Sequence, residues 1–249
     1  MSRPARKSQL PRQLIFDLGC RAALGAEDFL VSPSNEEAVA MVDRWPDWSH
    51  WAVVVCGPRR SGKSHLANVW RMKSAALDLD GASLTIEEVS SVTGARAIVV
   101  EDIDRAIGDE QALFHLLNLA REHRLSILMT SSRAPGDLEI ALPDLRSRLC
   151  ALPLVNILEP DERLLRAVLV KHFCDRQLTV EPPVIDYLAL YMERSMQGAA
   201  EVVAEIDRKA LATRRKVSQR LASEVLVALS NGNEAEVARS DGAEFSRRR

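Results

Sequence analysis

The sequence predicts an α/β fold in which helices cover both faces of a parallel sheet, followed by a second unit built from helices alone. Two observations predict it. Up to Leu158, short apolar runs typical of buried strands alternate with segments of helical periodicity. From Asp161 onward only helical patterns follow. Alternating strands and helices are typical of a parallel sheet, so we place a domain boundary between residues 158 and 159.

The predicted elements follow in a regular order. A helix begins after Ser34 or Asn35, either of which can cap it, with Glu36 and Glu37 in its first turn. Strands are predicted at 50–57, 76–79, 96–104 and 125–132, and helices between them at 63–76, 84–92 and 109–123. The second unit, a helical lid over 159–230, has predicted helices at 161–178, 182–194, 198–215 and 218–229.

Composition narrows the class of protein. The formal net charge of −2 argues against a free-standing nucleic-acid binder, and we expect no direct sequence-specific DNA binding. Four scattered cysteines without a C-x-x-C pair indicate neither a zinc site nor a disulfide framework, which favours a cytoplasmic location. No apolar run reaches the length of a membrane span, so we expect no membrane partner.

The stretch GPRRSGKS, Gly57–Ser64, matches the P-loop pattern and lies between a predicted strand and a predicted helix. Glycines let backbone amides surround a phosphate, and the helix N-terminus adds partial positive charge. Lys63 can reach the phosphates, and the Ser64 hydroxyl can ligate Mg²⁺. The alternative is a chance glycine turn with a surface lysine. The predicted nucleotide-binding residues here are Gly57, Pro58, Arg59, Arg60, Ser61, Gly62, Lys63, Ser64 and His65.

Polar residues lie in the last part of two of the predicted strands, at the sheet edge where ligands bind. Glu101 and Asp102 end one strand. One acid can hold Mg²⁺ through water, which makes Glu101 and Ser64 the candidate metal contacts, and the other can polarise an attacking water. Without the P-loop nearby, the favoured interpretation would be that these two acids are the solvated end of a strand. The hydroxyls of 130–132 end the other strand, and they either sense a γ-phosphate or begin a turn.

P-loop, acidic strand, polar strand and helical lid together resemble the AAA+ ATPases. DFLVSPSN, Asp28–Asn35, is similar to the segment that opens the core of the replication initiator DnaA and its relatives. In that family the segment flanks the adenine, which implies that Asn35 contacts the nucleotide. TSSRAPGDLEIALPDLRSRL, Thr130–Leu149, resembles the family's sensor strand and its box with the arginine finger. That match places Arg148 at the finger position; without it, Arg148 would be a surface arginine on a helix.

In DnaA the lid leads into a DNA-binding domain, whereas here we expect the lid to end near Leu229 and residues 231–249 to be disordered. Over residues 13–229 the chain resembles the Hda-type (HdaA) regulatory inactivators of DnaA. The resemblance implies a protein that holds ADP or ATP with Mg²⁺, docks on the DNA polymerase sliding clamp (its beta subunit) and promotes ATP hydrolysis by DnaA. The sequence does not decide whether the chain forms a homodimer.

Residues 1–19 form a predicted flexible arm, and its QLIFDL segment fits the clamp-binding motif of Hda-type proteins. The motif residues would be Gln13, Leu14, Phe16 and Leu18. Apolar anchors of this kind enter a pocket while the glutamine hydrogen-bonds at its rim. A second frame, QLPRQL, places Arg12 where the apolar anchor belongs. Alternatively, the apolar side chains fold back onto the domain.

Several residues depart from the family pattern. Arg59 and Arg60 are bulkier than usual, and either touch a phosphate or point to solvent. Glu101 replaces the usual aspartate. Gln197 lies where relatives place a sensor arginine, and Arg194, one turn earlier, is the candidate substitute. These departures favour a nucleotide-holding regulator with little ATPase activity of its own.

Two other functions fit parts of the pattern. A DnaC-type helicase loader would be expected to carry a larger N-terminal helicase-binding segment than this arm. A metabolic P-loop kinase would share the phosphate loop, but the PDLRSRL box and the all-helical lid argue against it.

Overall fold

The computed structural model describes residues 29–92, 94–105 and 107–231. Five strands form one sheet in the order β2-β3-β4-β1-β5, and every neighbouring pair is parallel. This confirms the predicted α/β class. The strands are β1 (Ala52–Cys56), β2 (Leu77–Asp80), β3 (Ala97–Glu101), β4 (Ser126–Ser131) and β5 (Leu154–Asn156).

Helices connect the strands and then form the lid. Those around the sheet are α1 (Glu36–Asp43), α2 (Lys63–Ser74), α3 (Ile86–Ser91), α4 (Glu110–His123) and α5 (Pro143–Cys150), with a short 3-10 turn at Pro135–Asp137. The lid contains α6 (Glu162–Asp175), α7 (Pro182–Tyr191), α8 (Met196–Thr213) and a C-terminal helical stretch over residues 219–231. In the part of the chain that the structure describes, no helix is long and apolar enough to cross a membrane.

The central strands β1, β3 and β4 are buried on both faces because most of their residues are apolar, as the short runs predicted. In β1, Ala52 and Val54 join a core cluster that includes residues of α3, α4 and α5. Val53 and Val55 join a second cluster that includes residues of α1 and α2. This alternation follows from the two-residue period of a strand. It leaves the C-terminal ends of the strands as the edge where loops can build a site.

The sequence patterns predicted four strands, and β5 is an additional one. It has only three residues, and only Val155 is buried, at 2% exposure, whereas Leu154 is 37% exposed. A strand this short with a single inward residue shows no period that a sequence pattern can reveal.

The lid has its own core, made from α6, α7, α8 and the C-terminal stretch. Ile157 still belongs to a sheet cluster, and the next buried residue to join the lid core is Leu164. Asp161 caps α6, because its carboxylate accepts a hydrogen bond from Leu164 N at 2.7 Å. Ser195 caps α8 in the same way through Gly198 N, which fixes where the lid helix nearest the phosphate loop begins.

Candidate nucleotide site

The phosphate loop joins the end of β1 to the start of α2, and two glycines permit its path. A Cβ at Gly57 would lie 2.3 Å from the carbonyl oxygen of Ile157, so only glycine fits there. Gly62 has φ of 105°, a left-handed conformation that favours glycine. Among the described residues, no side chain caps the N-terminus of α2. Unpaired amides at a helix start bind anions.

A cleft of about 490 Å³ opens over this loop and reaches the lid. Of the described residues that line it, four are arginine or lysine and one is a carboxylate, which favours an anionic ligand. The lining residues are Arg59, Arg60, Gly62, Lys63, Ser64, His65, Asp102, Arg105, Ser132, Met196 and Gln197. Sequence reasoning placed the loop residues and Asp102 in the site, but it missed Arg105 and Met196.

Lys63 is 6% exposed, and its Nζ donates hydrogen bonds to the carbonyl oxygens of Gly57 at 2.8 Å and Pro58 at 2.9 Å. Burial lowers the pKa of Lys63, and the carboxylates of Asp102 and Asp104 partly offset the shift. Next to it, the buried Ser61 Oγ has no hydrogen-bond partner among the described residues. A buried ammonium and an unpaired buried hydroxyl on one loop fit the oxygens of a phosphate group.

The two acids at the end of β3, Glu101 and Asp102, have different positions. Glu101 is the last residue of the strand and does not line the cleft. Asp102 has φ of 52° and lines the cleft. Its N–H donates to Thr130 Oγ1 at 2.9 Å, and its carboxylate pairs with Arg105 Nη1 at 3.1 Å. Within the described ranges, no three His, Cys, Asp or Glu side chains are grouped to hold a metal ion.

The hydroxyls of residues 130–132, at the end of β4, were expected either to sense a γ-phosphate or to begin a turn, and the three residues differ in this respect. Thr130 is fully buried and accepts the Asp102 hydrogen bond, so it joins β4 to the β3 loop. Ser131 Oγ donates to the carbonyl oxygen of Arg133 at 2.6 Å and accepts from its N–H, which forms a turn. Ser132 lines the cleft, and its N–H donates to Asp104 Oδ1 at 2.8 Å. Only Ser132 is therefore placed to meet a ligand.

On the lid side, Met196 and Gln197 of α8 line the cleft, whereas Arg194 is exposed and does not. The structure therefore places Gln197, rather than the proposed substitute Arg194, at the cleft. Arg60 makes a contact that the sequence did not predict. Its side chain lines the cleft and pairs with two lid carboxylates, those of Glu193 and Glu201.

Comparison with known proteins shows similarity to the replication initiator DnaA. The chain is 25% identical over 201 residues to DnaA of Cutibacterium acnes, covering 70% of this chain and 40% of that protein. It is 28% identical over 190 residues to DnaA of Caulobacter sp. strain K31, covering 66% of this chain and 37% of that protein. The chain thus spans about two fifths of the length of these relatives. No model of a known protein family matches it.

Solved structures decide the fold. Domain III of DnaA from Thermotoga maritima superposes with a TM-score of 0.71 at 18% identity, over 81% of this chain and 95% of that domain. The chain has the fold of DnaA domain III, an AAA+ ATPase domain. A DnaA bound to AMPPCP and single-stranded DNA matches with a TM-score of 0.63 at 19% identity, over 76% of this chain and 67% of that one. This DnaA relative thus binds an adenine nucleotide analogue and DNA.

Asn35 occupies the predicted N-cap position of α1, but its side chain does not cap the helix. Its Oδ1 accepts a hydrogen bond from Ser32 N at 2.8 Å, and its Nδ2 donates to the carbonyl oxygen of Leu30 at 2.9 Å. Asn35 is buried and does not line the cleft. Its amide therefore shapes the segment that resembles the adenine-flanking segment of DnaA relatives.

Arg148 lies on α5, half-buried, outside the cleft of its own chain. Its guanidinium stacks over the Phe114 ring of α4, 4.7 Å from the ring centroid. Arg146, two residues earlier, is exposed, and its Nη2 donates to the carbonyl oxygen of Gly136 at 3.2 Å. The two arginines thus face different surroundings. The proposed clamp motif, Gln13, Leu14, Phe16 and Leu18, lies outside the described residues.

Proposed function

We propose that this chain is an Hda-type regulator of replication initiation that holds an adenine nucleotide. Bound to the DNA-loaded sliding clamp, it contacts ATP-bound DnaA and stimulates hydrolysis of the ATP that DnaA holds. DnaA is thereby converted to its inactive ADP form, which prevents re-initiation. One observation carries the proposal: on a DnaA-type fold with a complete phosphate loop, Arg148 lies outside the chain's own cleft.

The nucleotide is ADP or ATP, with ADP as the working state. The amides of the loop and of the α2 N-terminus contact the phosphates, and Lys63 contacts the β-phosphate. Ser64, which lines the cleft, is a proposed Mg²⁺ contact. Asp102 is the acid placed to share this role, because it lines the cleft and Glu101, the contact predicted from the sequence, does not. Mg²⁺ commonly takes only one or two carboxylates besides phosphate oxygens and water, so this small donor set suits it. Two features support weak hydrolysis by the chain itself: the Asp102 carboxylate is paired with Arg105, and Gln197 lines the lid side of the cleft.

Arg148 is the proposed arginine finger for DnaA. Such a residue acts in trans, because its guanidinium is always charged and meets the γ-phosphate held by the neighbouring subunit. A finger must be presented at a surface while staying ordered. Stacking on Phe114 supports this role, because it restricts the guanidinium of a half-buried side chain without neutralising it.

The arm is the proposed contact with the clamp. Leu14, Phe16 and Leu18 would fill an apolar pocket on the clamp's beta subunit, and Gln13 would hydrogen-bond at its rim. The arm would keep the chain beside DNA and raise its local concentration near DnaA. These partners are components of the replication machinery, so the proposed location is cytoplasmic.

The proposal is tested by measuring conversion of ATP-bound DnaA to its ADP form with the chain, the clamp and DNA present or omitted in turn. We expect hydrolysis to rise only when the chain and the DNA-loaded clamp are both present. Stimulation that is absent with all components, or unchanged without the clamp, contradicts the proposal. Pull-downs with clamp and with replicative helicase run in parallel. Capture of helicase instead of clamp would favour a DnaC-like loader.

A further inference from the structure

Arg60 of the phosphate loop is bonded to the lid at three points. Its Nη1 lies 2.9 Å from Glu193 Oε2, and its Nη2 pairs with the carboxylate of Glu201 in α8. Its carbonyl oxygen accepts a hydrogen bond from Met196 N at 3.0 Å. Arg60 and Glu193 are 133 residues apart in sequence. The loop that cradles phosphate and the lid helix that covers it are therefore joined by one residue.

The local geometry of Arg60 suits this contact. Its φ of 64° is uncommon for a residue other than glycine, and contacts on both its backbone and its side chain hold it there. The Arg60 side chain is 26% exposed, and the side chains of Glu193 and Glu201 are 50% and 42% exposed. The hydrogen bond from Arg60 to Glu201 raises the pKa of Arg60, so the charge persists at any working pH.

Arg59 lines the same cleft and is exposed. Of the loop's two arginines, Arg60 is thus the one that the lid carboxylates hold, and both of its terminal nitrogens are engaged with them. These contacts support a role for Arg60 in holding the lid over the cleft.

We propose that Arg60 is a positioning residue that couples the phosphate loop to the lid. Its ion pairs with Glu193 and Glu201 hold the start of α8, with Met196 and Gln197, over the cleft and slow the release of bound nucleotide. This proposal rests on nucleotide binding at the proposed site. The time for which the nucleotide stays bound then depends on the lid. This dependence is consistent with a regulator that holds its ligand and does not hydrolyse it rapidly.

Neutralising Glu201 distinguishes the proposed coupling from a direct effect of the Glu201 charge on the anionic nucleotide. Glu201→Gln removes a negative charge near an anionic ligand and frees Arg60 to meet a phosphate, so charge alone predicts slower nucleotide release. The coupling predicts faster release, because one of the two ion pairs that hold α8 is lost. The two explanations therefore predict opposite changes in the rate of nucleotide release.

The experiment uses the full chain loaded with a fluorescent ADP analogue and measures its dissociation rate after mixing with excess ADP. Partly exposed ion pairs are worth enough for Arg60→Gln and Glu201→Gln each to speed release about threefold to fivefold. Because Arg60→Gln already removes both ion pairs, the double variant should release the analogue no faster than Arg60→Gln alone. Glu205→Gln, one turn further along α8 and paired with Arg208, is the matched control and should leave the rate unchanged.

Unchanged or slower release from Glu201→Gln overturns the coupling, provided that the wild-type chain binds the analogue and Lys63→Ala weakens that binding. If the wild-type chain does not bind it at all, the nucleotide site itself is wrong, and both proposals fall. Exchanging the charges, Arg60→Glu with Glu201→Arg, should restore part of the slow release. No restoration, with melting temperatures intact, counts against a direct ion-pair mechanism.

Discussion

Replacing Lys63 with alanine should weaken ADP binding about tenfold to a hundredfold while the protein stays folded. The Lys63 ammonium is buried beside the loop carbonyls, 2.8 Å from that of Gly57 and 2.9 Å from that of Pro58. From this position it can bond a phosphate oxygen held by the same loop. A hydrogen bond to a charged group contributes about 1.5–3 kcal/mol, which corresponds to the stated range of affinity.

Stability without nucleotide should change little, and the sign of the pKa shift explains why. Burial lowers the pKa of Lys63, so the charged ammonium is less favourable in the folded chain than in the unfolded one. This cost is fully present below the folded-state pKa and disappears as the pH rises past the unfolded value. Alanine removes the cost together with two hydrogen bonds to carbonyls, and the two effects oppose each other.

Calorimetry gives the dissociation constant, and thermal unfolding gives an independent check. ADP at a hundred times the wild-type Kd should stabilise the wild-type chain by about 2.7 kcal/mol. At the same concentration the variant should gain only about 0.4–1.4 kcal/mol. For a chain of this length the wild-type Tm should rise by about 5–11 °C, and that of the variant by about half of this or less.

A matched control lies on the same helix. Lys73 of α2 donates to the carbonyl oxygen of Asp43 at 3.0 Å, away from the cleft, so Lys73→Ala removes the same charge without touching the loop. Its ADP affinity should equal that of the wild type. If Lys63→Ala also binds ADP with wild-type affinity and shows the full rise in Tm, then residues 57–64 do not form the phosphate site.

Two further predictions concern the arm and the support of Arg148. Phe16→Ala combined with Leu18→Ala should abolish clamp binding, because two large apolar anchors in a pocket together contribute several kcal/mol of binding free energy. A lower Tm with intact clamp binding would show instead that the arm packs on the core. Phe114→Leu keeps an apolar side chain but removes the aromatic face under Arg148. It should reduce stimulation of DnaA about threefold, from a cation–π term of roughly 0.5–1 kcal/mol, whereas Phe114→Tyr should retain it. Equal activity of the leucine and tyrosine variants would remove Phe114 from the mechanism.

The parts of the fold that depend on local patterns were predictable. β1, β3 and β4 are short apolar runs, and all are buried as predicted, because a central strand of a parallel sheet must be apolar on both faces. The P-loop pattern placed a glycine loop between strand and helix, where the structure has it. β5 was missed because three residues at the edge of a sheet carry no detectable period.

The parts of the candidate site that depend on distant pairs were not predictable. Arg60 meets Glu193 across 133 residues, and no local pattern encodes such a pair. Both acids at the end of β3 were expected at the cleft, but the left-handed turn at Asp102, bonded to Thr130, brings Asp102 to the cleft and not Glu101. Side-chain direction at a strand end is set by the loop that follows, which the sequence does not specify alone.

The most direct test of the account is the rate of ATP hydrolysis by DnaA in the presence of the DNA-loaded clamp and the Arg148→Ala variant. An arginine finger acts in the transition state and can be worth about 10³–10⁵ in rate. The variant should therefore bind ADP and clamp as the wild type does, yet lose nearly all stimulation of DnaA. Arg146→Ala, from the same helix, should keep most of it, because Arg146 bonds the carbonyl oxygen of Gly136 and lacks the aromatic support. Undiminished stimulation by Arg148→Ala would contradict the proposed mechanism at its central residue.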